Sequence, residues 1–414
     1  MLDNLISHGI LSGKMIPIEN NPFLQLRFER MNENKLTEKT VSSASRVWLE
    51  IDLSVLTNNF EQIRQAVQPL KIMAVLKADA YGLGAEQIAK CLLNAGADGF
   101  CVAELREALQ LRPLGKPIQI LGGLLDFELE DAVKNHFILG ITDWQTAKKI
   151  SDESIRQGVV TEVHFKIDSG MGRLGILADS AVETVKKCCM LPNLNCCGIY
   201  SHFPDAAADE LSSTQCSRIL QIRNDLEKHG IYLTKCHIAN SDAINSCRHS
   251  TIAPFTHVRT GCDLYGSFNT AGETKLGLKS VISLKTRVVQ VREMPAGHTI
   301  GYNCTHRLTE NTKIATISAG YADGVPLSLS GKGAVIIRGQ RCPIVGRISM
   351  DYTTVDVNCL TEDIQPGEEV ILIGGDRDCQ ITVAEWATLK NTHPYDILCS
   401  FGHRVNRVYI RRQN

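Results

Sequence analysis

The chain has 414 residues, of which 43% are hydrophobic and 21% are charged, so it is long enough for two or three domains with a sizeable core. Its 44 basic and 45 acidic residues give a net charge of −1, and neither a basic stripe nor an acidic tail stands out, which argues against nucleic-acid and membrane-surface binding. No apolar run is long enough to span a membrane, and the N-terminus lacks the features of a signal peptide. We therefore expect a cytoplasmic protein.

The fifteen cysteines are odd in number and irregularly spaced, which is atypical of a secreted disulfide framework and indicates reduced thiols. A zinc site could be built from the doublets Cys188-Cys189 and Cys196-Cys197 with His202. Adjacent cysteines do not match the usual spacing of zinc ligands, however, so we predict no metal site.

Residues 1–45 are polar and irregular, and they are predicted to form a poorly ordered N-terminal extension. Met15 and Met31 are alternative start residues, and the sequence does not decide between them.

Short apolar runs then alternate with segments of helical spacing, such as Ile219–Lys228. This alternation predicts parallel strands joined by helices. Eight units predict an α/β fold, a TIM-like (β/α)8 barrel over residues 54–270, with a doubly wound sheet as the alternative. The predicted strands are Ile72–Leu76, Gly99–Val102, Ile118–Leu121, Ile138–Ile141, Val163–Ile167, Gly198–Ser201, Lys235–Ile238 and His257–Arg259.

The pattern changes after about residue 270, where short apolar segments broken by turn residues predict a second, mostly β C-terminal domain. We assign residues 46–53 and 271–414 to it, because the isolated strand Val47–Leu53 precedes the barrel. The other predicted strands are Val288–Val291, Lys313–Ser318, Gly333–Arg338, Cys342–Val345, Tyr352–Val357 and Glu369–Ile373.

Polar side chains follow five of the predicted barrel strands at their carboxyl ends, which is where barrel active sites lie. A lysine at such a strand end, in a partly dry site, can lose its proton and form a Schiff base. By itself Lys77 could equally be a surface lysine in a loop, but five strand ends meeting at one mouth favour a site. The residues are Lys77, Lys166, Asp168, Arg173, His202, Asn240, Ser241, Arg259 and Gly261.

The motifs around these residues resemble those of the alanine racemase family, in the family's order. They read AVLKADAYGLG from Ala74, KIDSGMGRLG from Lys166, ANS from Ala239 and VRTGCDLYG from Val258. The β-rich part adds Gly301-Tyr302, GYADG from Gly320 and GRISMD from Gly346, so the resemblance covers about residues 46–412.

The resemblance implies a pyridoxal-phosphate-dependent isomerase that interconverts L- and D-alanine by a two-base mechanism on the cofactor aldimine. It also implies a cofactor-binding barrel, a β-domain and a homodimer whose subunits share active sites. Lys77 resembles the lysine that holds pyridoxal 5'-phosphate and acts as base on one face of the substrate. Tyr302 resembles the tyrosine that acts from the partner subunit on the other face. Arg259 resembles the arginine opposite the pyridine nitrogen, and because it stays protonated it cannot accept the ring proton.

The remaining cofactor contacts carry over from the same motifs. Tyr81, Ser241 and Gly261 resemble the residues that bind the phosphate, with Asn240 supporting the loop. Ser241 could also, or only, cap the following helix. His202 resembles a histidine stacked near the cofactor ring, or it could be a satisfied core histidine.

The substrate contacts carry over less directly. Arg173 resembles the arginine near the substrate carboxylate, and Lys166 matches a lysine that is carbamylated by CO₂ in many members. Met350 and Asp351 resemble a partner-subunit segment that binds the substrate, and Tyr321 resembles a tyrosine at the entrance.

Three features depart from the family pattern, and one of them is the N-terminal extension of residues 1–45. His403 stands where the family often has a phosphate-binding tyrosine, and the stretch after His202 is longer than usual. The side-chain preference therefore stays open between alanine, serine and a broader range, and so does a biosynthetic role, such as supply of D-alanine for peptidoglycan, against a catabolic one. A barrel-type decarboxylase and a cofactor-binding homeostasis protein are further alternatives, disfavoured by Arg259 and by the β-domain with Tyr302 respectively.

Overall fold

Parallel strands and helices alternate through the first half of the chain in a computed structural model that describes residues 45–267 and 275–412. The strands there are β1 (Val47–Asp52), β2 (Lys71–Val75), β3 (Gly99–Val102), β4 (Ile118–Ile120), β5 (Ile138–Ile141), β6 (Thr161–Asp168), β7 (Ile176–Leu177), β8 (Leu194–Tyr200), β9 (Lys235–His237) and β10 (His257–Thr260). The helices are α1 (Leu53–Val67), α2 (Lys77–Gly82), α3 (Ala85–Asn94), α4 (Leu105–Leu111), α5 (Leu129–Lys134), α6 (Trp144–Gln157), α7 (Ala181–Cys189), α8 (Asp209–Lys228) and α9 (Ser241–Ser246).

Eight of these strands form one parallel sheet in the order β10-β2-β3-β4-β5-β6-β8-β9. Backbone hydrogen bonds join the two outermost strand segments, from Thr256 N to Cys236 O at 2.8 Å and from Arg259 N to Ala239 O at 3.1 Å. The sheet is therefore a barrel. The eight predicted strands and the barrel are confirmed, and the doubly wound alternative is wrong.

Alternation along β6 shows how the barrel is packed. Val163, Phe165 and Ile167 are buried in the main hydrophobic core. Their neighbours on the other face, His164 and Lys166, are also buried, but they contact the side chains of His237 on β9 and Tyr200 on β8. Because successive side chains of a strand point to opposite faces, these polar residues line the barrel interior.

The second half of the chain forms a separate, mostly β domain, as predicted. Its elements are β11 (Ile282–Met294), β12 (Thr299–Ile300), β13 (His306–Arg307), β14 (Thr312–Ile317), β15 (Ala334–Ile337), β16 (Gln340–Pro343), β17 (Thr353–Asp356), β18 (Glu369–Asp376), β19 (Cys379–Ile381), β20 (Asn406–Ile410), α10 (Val383–Lys390) and α11 (Pro394–Leu398).

The main sheet of this domain has the order β16-β15-β18-β11-β1-β20, with β14 and β17 attached through β11. Strand β1 runs antiparallel to β11 and parallel to β20, with Leu49 opposite Leu284 and Arg407. The first described strand thus lies in the sheet of the C-terminal half. The exact domain limits stay a prediction. The N-terminal extension predicted for residues 1–45 lies outside the described residues apart from its last residue.

Strand β20 also ties this domain to the barrel. Arg407 Nε donates to Gly82 O at 3.0 Å, and Tyr409 Oη donates to Leu83 O at 2.8 Å. Gly84 has a φ of +92°, and a Cβ there would lie 1.8 Å from Tyr409 Oη, so glycine is required. These contacts hold the segment that follows Lys77. Among the described helices, none combines the length and apolar character needed to cross a membrane.

Candidate active site

Lys77 lies two residues beyond the end of β2, where the chain turns out of the barrel. The next four residues, Ala78 to Tyr81, all have left-handed backbone angles, with φ between 53° and 60°. For L-amino acids this conformation costs roughly 1–2 kcal/mol per residue, so surrounding contacts must hold it. Ala78 N donates to Glu107 Oε1 at 2.5 Å and Ala85 N donates to Asp79 Oδ1 at 2.7 Å. The turn therefore fixes where the lysine side chain starts.

The surroundings of Lys77 favour its neutral form. The residue is exposed at the barrel mouth of the single chain. Partial burial of its ammonium group, followed by the nearby Arg173 guanidinium, nevertheless lowers the pKa of Lys77. A neutral lysine amine is the form that can attack a carbonyl carbon.

Tyr81, Ser241 and Gly261 converge next to this turn. Gly261 N donates to Ser241 Oγ at 2.9 Å, and a Cβ on Gly261 would lie 2.5 Å from Tyr81 Oη. The missing side chain at Gly261 therefore lets a tyrosine hydroxyl, a serine hydroxyl and a backbone amide approach one another, and we call these three residues the cradle. Hydroxyl and amide donors of this kind suit a phosphate group.

Asp263, which the sequence reasoning missed, organises the cradle from below. Its buried Oδ1 accepts hydrogen bonds from Ser241 Oγ at 2.7 Å, Thr260 Oγ1 at 2.6 Å and Gly261 N at 3.0 Å. Burial raises the pKa of the Asp263 carboxyl, although these donors oppose the shift. Its place inside the motif from Val258 to Gly266 was the available signal.

Asn240, rather than Ser241, caps helix α9. Its side-chain oxygen accepts a hydrogen bond from Ala243 N at 3.0 Å, whereas the Ser241 hydroxyl is used in the cradle. The alternative that Ser241 is the helix cap is therefore wrong, and Asn240 supports the loop.

Arg259 is fully buried inside the barrel and donates to four acceptors. Its Nη1 lies 2.6 Å from His237 Nδ1, and its Nη2 lies 2.7 Å from Ser201 O, 3.0 Å from Ile238 O and 3.3 Å from His202 Nδ1. Burial and Arg259, in that order, lower the pKa of His202 to about 2, so this imidazole stays neutral. His237 is a second residue that the sequence reasoning missed, since it lies within β9 rather than after it.

Lys166, on β6, is almost completely buried. Its Nζ is 4.9 Å from the centre of the Tyr200 ring. Burial, then Arg259 and Arg173, lower the pKa of Lys166 to about 7. The interior therefore has an amine that loses its proton far more readily than an ordinary lysine and that feels the charge of two arginines.

Asp168 shapes the loop that carries Arg173. Its carboxylate accepts hydrogen bonds from the backbone N–H groups of Gly170, Met171, Gly172 and Arg173 at 2.8–3.2 Å. Although burial acts in the opposite direction, these four donors lower the pKa of Asp168. The anion thus fixes the loop from which the Arg173 side chain projects.

The other candidate residues lie in the β-domain. Tyr302, Tyr321, Met350 and Asp351 line one cleft of about 720 Å³, and the Tyr302 side chain is 69% exposed. None of the residues lining this cleft comes from the barrel mouth.

Arg404 braces one wall of the cleft. It forms a bidentate pair with buried Asp323 at 2.7 and 3.0 Å and donates to Asp351 Oδ1 at 2.7 Å. His403, next to it, is exposed. The structure of one chain thus brings the predicted residues together in two separate sets, one at the barrel mouth and one in this cleft.

Both halves of the chain match models of one protein family. The alanine racemase N-terminal domain matches residues 51–268, and the alanine racemase C-terminal domain matches residues 281–409. This chain belongs to the alanine racemase family.

Relatives with this fold agree with that assignment. An alanine racemase of Clostridium tetani is 39% identical over 381 residues, covering 89% of this chain and 96% of the relative. The solved alanine racemase of Clostridium difficile 630 superimposes with a TM-score of 0.84 at 32% identity, covering 90% of this chain and 97% of that one. The alanine racemase of Bartonella henselae, solved with covalently bound pyridoxal phosphate, has a TM-score of 0.80 at 31% identity and covers 88% of this chain and all of that one.

Proposed function

We propose that this chain is a pyridoxal-phosphate-dependent alanine racemase that interconverts L- and D-alanine. The observation that carries the proposal is Lys77 on its strained turn at a barrel strand end, directly beside the cradle. Family membership and the Bartonella henselae relative with its covalently bound cofactor support the same reading.

The barrel mouth fits the cofactor on three observations. Burial and then Arg173 lower the pKa of Lys77, which makes its amine easier to deprotonate for a covalent bond. The cradle has room for close approach only because Gly261 lacks a Cβ. The buried Arg259 guanidinium supplies a permanent donor for a ring nitrogen. When bound, pyridoxal phosphate supplies an electron sink that acidifies the substrate α-carbon.

Lys77 and Tyr302 are proposed to hold or move the α-proton on opposite faces of the substrate. Inverting a stereocentre needs a proton acceptor on one face and a donor on the other, each within hydrogen-bond reach. In the single chain Tyr302 is exposed in a cleft to which the barrel mouth contributes nothing. We therefore propose a homodimer in which the cleft of each subunit covers the barrel mouth of the other.

Other residues of the two sets position the substrate. Arg173 and the cleft residues Met350 and Asp351 are proposed to bind its carboxylate end, with Tyr321 at the entrance. Lys166 is proposed to react with CO₂, because a carbamate between Arg173 and Arg259 would replace cation repulsion with attraction.

Two alternatives are weaker. A barrel-type decarboxylase is disfavoured, because the buried group proposed to face the cofactor ring nitrogen is Arg259 rather than a carboxylate. A serine or broad-specificity racemase stays open as an alternative, since His403 replaces the family tyrosine.

All fifteen cysteines are free, which supports a reducing compartment such as the cytoplasm.

Subunit mixing tests the proposal. Lys77→Ala and Tyr302→Phe chains should each be inactive alone and regain about a quarter of wild-type racemisation after equal mixing, since half the dimers are hybrids with one intact site. The matched control mixes Lys77→Ala with the double variant Lys77→Ala/Tyr302→Phe, in which no intact site can form. Proven subunit exchange without recovery would reject shared sites, and no racemisation of alanine by the unsubstituted protein would reject the function.

A further inference from the structure

A row of side chains runs through the barrel interior from Arg259 towards the amino ends of the strands. Arg259 Nη1 lies 2.6 Å from His237 Nδ1, and His237 Nε2 lies 3.4 Å from His164 Nδ1. His164 Nε2 then lies 3.2 Å from Glu162 Oε1, and Glu162 also pairs with Lys235. The row therefore connects the cofactor side of the barrel with a partly exposed ion pair at its other end.

Arg259 sets the protonation of the whole row. A guanidinium only donates hydrogen bonds, so His237 Nδ1 must accept and the ring proton must sit on Nε2. His237 Nε2 then donates to His164 Nδ1, which places the proton of His164 on its own Nε2. That proton is donated to Glu162, a carboxylate that only accepts. The fixed donor at one end and the fixed acceptor at the other thus require the same tautomer in both histidines.

The packing shows that this row is built into the barrel. A Cβ on Gly198 of β8 would lie 2.2 Å from the His164 ring, so glycine makes the space for that imidazole. The Tyr200 ring stacks on His237 with centres 5.1 Å apart and planes 14° apart. Burial lowers the pKa of both His164 and His237, which keeps both rings neutral.

Glu162, His164 and Cys197 could instead hold a metal ion, since one ligand atom of each lies within 4.8 Å of the others. A metal would need a lone pair on His164 Nε2, which the row fills with a proton. Lys235 already neutralises Glu162, and burial raises the pKa of Cys197 to about 12, which disfavours a thiolate. The tautomer order and a metal are therefore mutually exclusive at His164.

We propose that Glu162 and His164 are positioning residues that fix Arg259 through His237. They act on the group that faces the cofactor ring without touching cofactor or substrate. This inference rests on the proposed function for its consequence, but the arrangement of protons can be measured without any activity.

The direct test is the tautomeric state of the histidines in cofactor-free protein. Histidine-selective ¹⁵N labelling reports which ring nitrogen carries the proton, and His164→Asn and His237→Asn assign two of the twelve histidines. We expect the Nε2–H form of both rings. An Nδ1–H form of either ring in the unsubstituted protein would overturn the proposal, whether or not the enzyme racemises alanine.

A pair of variants tests the dependence on Glu162. In Glu162→Ala the Lys235 ammonium is left as a donor next to His164, which should reverse the His164 tautomer and lower kcat on the order of 10-fold with KM little changed. Glu162→Gln keeps an acceptor oxygen next to His164 Nε2 and should therefore retain both the tautomer and most of kcat. Unchanged tautomers and kcat in Glu162→Ala would refute the link to Arg259. If this variant does not fold, Gly198→Ala, which displaces the His164 ring, should give the same loss.

Titration with Cd²⁺ distinguishes the proposed proton order from a metal site at Glu162, His164 and Cys197. We expect the cadmium–thiolate absorption of the unsubstituted protein and of Cys197→Ser to be the same. Stoichiometric binding that is lost in Cys197→Ser, but kept in Cys196→Ser, would show a metal at His164 and overturn the proposed proton order.

Discussion

Lys166 should react with CO₂ at neutral pH, because its amine is far less protonated than that of an ordinary lysine. With a pKa of about 7 in place of 10.5, about half of its amine is unprotonated at pH 7, against about 0.03% of an ordinary lysine. The reactive fraction is therefore higher by about a thousandfold. The amine adds to CO₂ and releases one proton, and the resulting carbamate anion lies between Arg259 and Arg173. In ¹³CO₂-equilibrated buffer we expect one protein carbamate resonance at pH 7 that is absent in Lys166→Arg.

The same pKa predicts a pH-dependent stability. Protonated Lys166 disfavours the fold by about 4–5 kcal/mol below pH 7, at 1.36 kcal/mol for each tenfold change in the ionisation constant. Between pH 7 and 10.5 the unfolded chain binds the extra proton, so this cost fades as pH rises. Without CO₂ and cofactor, Lys166→Met should therefore raise the denaturation midpoint most at pH 6 and least at pH 10. A measured Lys166 pKa near 10, or equal effects at both pH values, would refute the reasoning.

Three further changes have expected outcomes. Lys77→Ala should remove borohydride-fixed cofactor from the Lys77 peptide, and labelling of another lysine in unsubstituted protein would contradict the assignment. Gly84→Ala should destabilise by about 2–5 kcal/mol because its Cβ would meet Tyr409 Oη at a positive φ, whereas Gly115→Ala, with open space at φ +67°, should cost about 1–2 kcal/mol in thermal unfolding. Tyr302→Phe should slow solvent deuterium exchange at the α-carbon of L-alanine more than of D-alanine, on the order of 10²–10⁴-fold, and equal loss for both would mean a structural role.

The barrel could be predicted from the sequence because its short, mostly apolar strands alternate with segments of helical spacing. Strand Gly99–Val102 matches its predicted limits. The prediction of the β-domain from the sequence was less complete. β12, β13 and β19 have two or three residues each, too few for any periodicity. Helix α10 was missed because the apolar residues Ala384 and Leu389 lie outside the buried face formed by Val383, Trp386 and Ala387, which obscures the helical pattern.

The site was predictable where a residue follows a strand and not where it lies within one. Lys77 and Ser241 stand just beyond β2 and β9, where a polar side chain interrupts an apolar run. His164 and His237 lie inside strands, where the usual expectation is core packing. Their role appears only because β6, β9 and β10 are neighbours or face each other in a closed barrel, which no linear spacing encodes. Arg259 has no carboxylate among its four hydrogen-bond partners, so its buried charge is held by neutral acceptors alone. A buried guanidinium without a carboxylate partner needs neighbouring acceptor atoms that stay unprotonated. The tautomer order of the barrel interior meets this need, because it keeps the proton of His237 on Nε2 and leaves Nδ1 free to accept from Arg259.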